Sequence, residues 1–367
     1  METRLVVGDA ERLRALLEAA RGPTLFLVVA GATETSTIPG ISIAGPSPEA
    51  TVLTPTLDVE YLVAGRPVML DVVPVSPEGL PTPAVITRAV LSLLDSVGYA
   101  AVDAGCKFAP RVPHLALPPR RPGARIDEGP ALPRGTAERL YRAAKLLGET
   151  IARGHSLVAI GETIPGGTTV AAAVLEALGH GGLGRVSSSS ARNPHGLRRR
   201  VVEAALRRLR RGATVFEAVD EVGDPVHVSV AGLAAGAASV GARVLLAGGT
   251  QMAAVLAILR AAEPGALAAV GVATTPWIIR DESSDLPGLV SEIAPGVPLA
   301  YTEFSLASSR YPGLRAYEQG YVKEGVGAGG ALFLAAARGF SQEEVLAAVE
   351  AEYERITRGQ GDAADRG

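Results

Sequence analysis

Apolar and polar positions along the chain alternate between two periods. Short apolar runs of strand length occur at TLFLVVAG (24–31), VMLDVVPV (68–75), YAAVDAG (99–105), SLVAIGE (156–162), RVLLAGG (243–249), ALAAVGVAT (266–274) and PLAYTEF (298–304). Between them Leu, Val and Ala recur at helical spacing, as in Leu13, Leu16, Leu17 and Ala20 after a possible N-cap at Asp9, or Leu140, Ala143, Ala144 and Leu147 within 135–153. Further helices are expected over 56–65, after Pro83 and over 250–262. Another runs from a Ser341/Glu344 capping box to Arg358, with Phe340 and Val345 as its hydrophobic staple. Strands and helices repeating at these lengths predict a parallel sheet covered by helices on both faces. The proline- and arginine-rich stretch 108–133 lacks a period and reads as a traversing loop.

Composition narrows this picture. The 367 residues can bury a large core; 47% hydrophobic and 20% charged content describe a soluble globular chain. A net charge of −3 gives no case for a nucleic-acid partner. The arginine-crowded helix after the serine-rich loop, with Arg198, Arg199, Arg200, Arg207, Arg208, Arg210 and Arg211, has no interleaved aromatics and reads as a solvated face. The single cysteine, Cys106, excludes an internal disulfide and a cysteine-rich metal site. The charged amphipathic start does not look like a cleavable signal, and the apolar stretch 230–262 is interrupted by glycines, Arg243 and Gln251. A cytoplasmic protein without a membrane span is therefore expected.

Two glycine-rich stretches carry candidate chemistry. In GETIPGGTTVAAAVLEALG (161–179) a strand stops at a turn and becomes a helix. Gly166 and Gly167 allow close backbone approach, Thr168 and Thr169 place hydroxyls at the helix start, and the free N–H groups there favour a phosphate. A triphosphate loop would carry lysine where Gly167 stands, so a monophosphate fits better, and an ordinary strand-to-helix turn is the alternative. Glu162 is expected at the carboxyl edge of the sheet. In GYVKEGVGAGGALFLAAARG (320–339), Gly325, Gly327 and Gly330 satisfy a dinucleotide spacing, but too close to the chain end for a complete nucleotide-binding half. Glu324 beside them reads either as a general base or as a helix-capping acid. The loop after the first strand offers Thr33, Glu34, Thr35, Ser36 and Thr37 to a ligand, or is plain surface structure.

Two carboxylates on two glycine-rich turns make the chain resemble the nicotinate-nucleotide:dimethylbenzimidazole phosphoribosyltransferase family, most of all its divergent archaeal branch. GETIPGGTT is similar to the family's glutamate-led phosphate loop, with Gly167 in place of the usual Asn, and KEGVGAGGA resembles its late Gly-Glu-Gly motif. The segment 224–257 and the stretches TLFLVVAG and TLDVEYLVAG match the family pattern in colinear order, so the resemblance covers most of the chain. It implies a three-layer Rossmann-like α/β fold with a small helical subregion from the termini: one unit over 1–367, helical appendages at 1–22 and 340–358, and a frayed tail at 359–367. It also implies transfer of the 5-phosphoribosyl group of nicotinate mononucleotide to a benzimidazole-like or purine base, with β to α inversion, for the nucleotide loop of a cobamide. Glu324 and Glu162 are then the catalytic acids. Gly166, Gly167, Thr168, Thr169, Gly325 and Gly327 hold phosphate and ribose, and Thr33, Glu34, Thr35 and Ser36 belong to the acceptor-base pocket. No cofactor or metal is implied, and a homodimer is.

Departures from the family remain. Gly31 and Ala32 stand where better-known members carry an acid and a histidine, and the family's basic residue corresponds to Arg198 or Arg200. An inactive nucleotide-binding or regulatory homologue is the second reading, and a dinucleotide-dependent oxidoreductase, resting on the Gly325 fingerprint alone, the third.

Overall fold

The computed structural model describes residues 1–76 and 79–364, with side chains described through Arg358. Eight strands form one sheet: β1 (Thr3–Val7), β2 (Thr24–Gly31), β3 (Val97–Gly105), β4 (Leu115–Ala116), β5 (Leu157–Thr163), β6 (Arg243–Ala247), β7 (Val270–Thr274) and β8 (Leu299–Thr302). Their order is β1-β8-β7-β6-β5-β2-β3-β4, with β1 antiparallel to β8 and every other pair parallel. The chain builds outward from β2 in one direction and from β5 in the other. The order therefore reverses between β2 and β5, where Val29 lies opposite Glu162 and Ala30 opposite Thr163. Open α/β sheets bind ligands beyond the strand ends at such a point.

Helices before the phosphate-loop stretch are α1 (Ala10–Ala19), α2 (Thr54–Ala64), α3 (Ala84–Leu93) and α4 (Thr136–Ile151). After it come α5 (Gly167–Ala177), α6 (His195–Leu206), α7 (Val215–Val222), α8 (Pro225–Ser239), α9 (Gln251–Ala262), α10 (Pro276–Ile279) and α11 (Leu286–Ile293). The last are α12 (Pro312–Arg315), α13 (Ala328–Ala337) and α14 (Gln342–Ala364). Strand residues alternate between two cores. Leu27, Val29, Val158, Ile160, Val244 and Leu246 face α4, α5, α8 and α9, whereas Phe26, Val28, Ala159 and Leu245 face α1, α3, α13 and α14. Burial on both faces explains why the strands read as continuous apolar runs. The two terminal helices share the second face, where Val345, Val349, Tyr353 and Ile356 of α14 join Leu13 and Leu16 of α1. No helix among the described residues is long and apolar enough to cross a membrane.

Three expectations need correction. The run 68–75 is not a strand: it makes one isolated bridge, Val75 to Pro81, and Val68, Leu70 and Val72 are exposed. Pro67 and Pro74 lack the N–H that a ladder needs, and the Glu60 carboxylate takes the Val68 and Met69 N–H groups at 2.7 Å each. The stretch 1–22, expected as a helical appendage, is helical only in α1: Thr3–Val7 form strand β1, whose short polar-apolar mixture TRLVV gives little periodic signal. α14 continues past Arg358 to Ala364, and the rest of the expected frayed tail lies outside the described residues.

Candidate active site

Both glycine-rich stretches end at the switch point and are locked to each other. β5 delivers Glu162 and Thr163, the turn Ile164–Gly166 follows, and α5 starts at Gly167. Gly166 closes the turn at φ 75°, a left-handed conformation natural to glycine, and a Cβ there would lie 2.8 Å from Ser36 Cα. The later turn crosses above it. The Val326 N–H donates to the Glu162 carbonyl at 2.8 Å, and a Cβ on Gly161 would fall 2.7 Å from Gly327 Cα. Close backbone approach thus explains these glycines without a dinucleotide. The fingerprint stretch also lacks a strand immediately before it, since α12 and a 3-10 turn intervene after β8.

Glu324 enters this crossing on strained backbone. Val322, Lys323 and Val326 have φ of 64°, 63° and 53°, values that cost non-glycine residues about 1–3 kcal/mol each. Glu324 Oε2 accepts the Thr275 N–H at 2.9 Å, and Oε1 accepts the Gly325 and Gly329 N–H groups at 3.1 Å each. The carboxylate therefore does cap α13, as its helix-capping reading expected. Burial nevertheless pushes its pKa up to about 8, with the Glu162 charge adding to the rise and the three N–H donors opposing it. A carboxylate so held is suited to accept a proton near neutral pH.

Glu162 is almost fully buried, and burial raises its pKa to about 7. The His227 charge opposes that rise while Asp224 and Asp58 add to it. Asp58 reaches in from α2, accepting Thr82 and Thr163 hydroxyls at 2.8 and 2.7 Å, and burial lifts it to about 6. Gln251, at the start of α9, donates Nε2–H to Glu162 Oε1 at 3.0 Å.

Of two buried cations, Arg198 lies against the phosphate-loop helix, and Lys323 lies near enough to feel its charge. Arg198 of α6 is fully buried, donating to the Val186 and Ser187 carbonyls at 2.7 and 2.8 Å and to Thr169 Oγ1 at 3.5 Å. Burial lowers its pKa to about 10, still charged at neutral pH. Lys323 donates to the Ser190 carbonyl at 2.8 Å and pairs with Asp281 at 3.3 Å. The solvated-face expectation therefore fails for Arg198, which the helix turns inward, while Arg199 and Arg200 stay exposed. Of the two candidate basic residues, the structure brings Arg198 to the loop; Arg200 reaches the Gly196 carbonyl on its own helix. Thr168 is half-buried, whereas the Thr169 side chain is enclosed against Arg198.

The residues assigned to the base pocket make bonds of their own. Thr33 and Thr35 hydroxyls donate to the Ala124 carbonyl at 3.4 and 3.5 Å, Ser36 Oγ donates to the Thr33 carbonyl at 2.8 Å, and Glu34 pairs with Lys107 at 2.8 Å. Their turn packs on Gly166, so they border the loop. Asp58, Asp224, His227, Gln251, Asp281 and Lys323 were not singled out by the sequence reading. Lys323 adjoins Glu324 in KEGVGAGG, which is a usable signal; Gln251 stands out only as a polar interruption of the apolar stretch 230–262, which does not point to Glu162. Among the described residues no group of three or more His, Cys, Asp or Glu is arranged to hold a metal ion.

The sequence matches the phosphoribosyltransferase family over residues 86–273. A UPF0284 protein of Aeropyrum pernix is 58% identical, covering 95% of this chain and 97% of that protein. A UPF0284 protein of Pyrobaculum calidifontis is 49% identical, covering 92% and 97%. Among solved structures, a nicotinate-nucleotide-dimethylbenzimidazole phosphoribosyltransferase from Thermus thermophilus superimposes with a TM-score of 0.60 at 18% identity, covering 96% of this chain and 92% of that one; the likeness establishes the shared fold. The chain belongs to the phosphoribosyltransferase family, in company with these archaeal UPF0284 proteins.

Proposed function

We propose that this protein transfers the 5-phosphoribosyl group of nicotinate mononucleotide to a ring nitrogen of an aromatic base, benzimidazole-like or purine, giving an α-ribotide and free nicotinate for the nucleotide loop of a cobamide. The observation that carries this reading is the pair of carboxylates, buried Glu162 and half-buried Glu324, on two glycine-rich turns fastened together by the Val326–Glu162 hydrogen bond. The 5'-phosphate would lie at the start of α5, against Gly166, Gly167, Thr168 and Thr169, with Gly325 and Gly327 on the ribose side. The Arg198 charge against the loop helix would favour the anion.

The base nitrogen attacks the anomeric carbon from the face opposite the departing nicotinate. As the new C–N bond forms, the glycosidic C–N bond breaks and its electron pair returns to the nicotinate ring, neutralising the pyridinium. The N–H proton of the base passes to Glu324, which later releases it to solvent. Positive charge that builds on the ribosyl carbon is stabilised by ionised Glu162. The phosphate grip fixes the sugar for in-line displacement. The protein would act as a cytoplasmic homodimer.

Incubation with nicotinate mononucleotide and a panel of benzimidazoles and purines tests this reading, with nicotinate release followed by chromatography and ribotide by mass spectrometry. Both products are expected with at least one base. Tight nucleotide binding with no product from any base would instead support a non-catalytic nucleotide-binding role.

A further inference from the structure

A line of side chains from three different elements ends on Glu162. Asp224 caps α8, its fully buried Oδ1 accepting the Val226 and His227 N–H groups at 2.7 and 2.8 Å. Its Oδ2 lies 2.6 Å from Nδ1 of His227, which is also fully buried. On the other side of the ring, Nε2 lies 2.7 Å from Gln251 Oε1, and Gln251 Nε2 lies 3.0 Å from Glu162 Oε1. The pairing fixes the protons. An ionised carboxylate only accepts, so the amide must turn its NH2 toward Glu162 and its carbonyl toward His227. With Glu162 ionised, His227 then donates from Nε2, while the Asp224 carboxylate 2.6 Å from Nδ1 favours a second proton there by its charge.

We propose that Asp224, His227 and Gln251 form a positioning relay that holds Glu162 as an oriented carboxylate toward the ribosyl carbon, with His227 its charged centre. This rests on the phosphoribosyl-transfer reading above. Several features distinguish the relay from filler. A cation and two carboxylates are fully or almost fully buried where apolar side chains of like volume would be at least as stabilising. The phosphate loop also makes room for it: a Cβ on Gly167 would fall 2.1 Å from Gln251 Oε1, so glycine at this position admits the amide. The groups facing the line are Asp224 from α8, Gln251 from α9 and Glu162 from β5, with Asp58 of α2 and Glu324 acting on Glu162 from beyond it. His227 is thus a positive charge set among carboxylates. Burial pulls the His227 pKa down, but Asp224, the Gln251 bond and Glu162 together hold it above the ordinary value. Coupling is reciprocal, so the same charge favours ionised Glu162.

Two readouts on the full-length protein test the relay. The first is a 15N NMR titration of the five histidines, with His227 assigned from His227→Gln. His227 should titrate above the ordinary imidazole range, and at lower pH in Glu162→Gln, because a negative neighbour is lost. The second is transfer kinetics. His227→Gln should lower kcat about tenfold or more, leave KM for nicotinate mononucleotide within about twofold, and move the acid limb of kcat/KM up by about one pH unit. Gln251→Leu, which retains His227, should show the same split of kcat from KM if His227→Gln folds poorly. The proposal is overturned if Glu162→Gln leaves the His227 titration unchanged, or if both relay variants lower kcat without moving the acid limb. Absence of transfer in the wild type would defeat the reaction reading, while the NMR coupling would still decide whether the relay reaches Glu162.

Discussion

Glu162 and Glu324 share residue type and neighbourhood, yet their surroundings give them different work. Glu324 is held by three backbone N–H groups and lifted to about 8, while Glu162 faces a neutral amide and, beyond it, an imidazolium. If Glu324 is the base, Glu324→Gln should reduce kcat by about 10²–10⁴-fold with little change in nucleotide affinity by calorimetry, because the proton moves only in the transition state. Activity should also rise with pH. Both carboxyls must be ionised, so kcat/KM should climb between about pH 7 and 8, a limb that belongs to the pair rather than to either residue. A flat profile from pH 6 to 9 would contradict this. These two acids were legible because each adjoins glycines whose spacing signals close backbone approach. Gln251 and His227 were not, because they reach the site from separate helices and only folding brings them within 2.7 Å of each other.

Among the elements, most strands and helices followed from periodicity, and the failures have local causes. The run 68–75 has strand-like composition, but two prolines and the Glu60 carboxylate divert its backbone. β1 has too few apolar residues to stand out and exists through pairing with β8. The glycines of α8 show the opposite case, in which composition hides a tight contact. A Cβ on Gly236 would lie 2.0 Å from the Lys145 carbonyl of α4, and one on Gly232 would lie 2.4 Å from the Tyr141 carbonyl. Backbone cannot yield as a side chain can. Gly236→Val should therefore destabilise by about 1–3 kcal/mol or more in thermal or denaturant unfolding, with Asp224 and His227 on the same helix displaced and activity falling too. Unchanged stability would refute the close packing of α4 on α8.

Across the whole molecule, the sheet's reversal between β2 and β5 brings Asp58, Glu162 and Glu324 close enough for their charges to act on one another. That gathering has a cost in stability that depends on pH. Each of the three carboxyls has a folded-state pKa raised above its unfolded value, so the folded protein binds more protons across the interval between them. Their contribution is fully present below about pH 4 and is lost as pH rises through about 6, 7 and 8 in turn. His227, also raised, acts in the same direction. Unfolding temperature should thus fall from about pH 5 to pH 9, and a rise over that range would contradict the burial of these acids.

Phosphoribosyl transfer with Glu324 as base stands or falls on one comparison. Wild type and Glu324→Gln are incubated with nicotinate mononucleotide and an accepted base, and the ribotide is identified by NMR. An α-configured product is expected from the wild type and little or none from the variant, with nucleotide binding retained in both. A β-configured product, or equal rates from the two proteins, would contradict it.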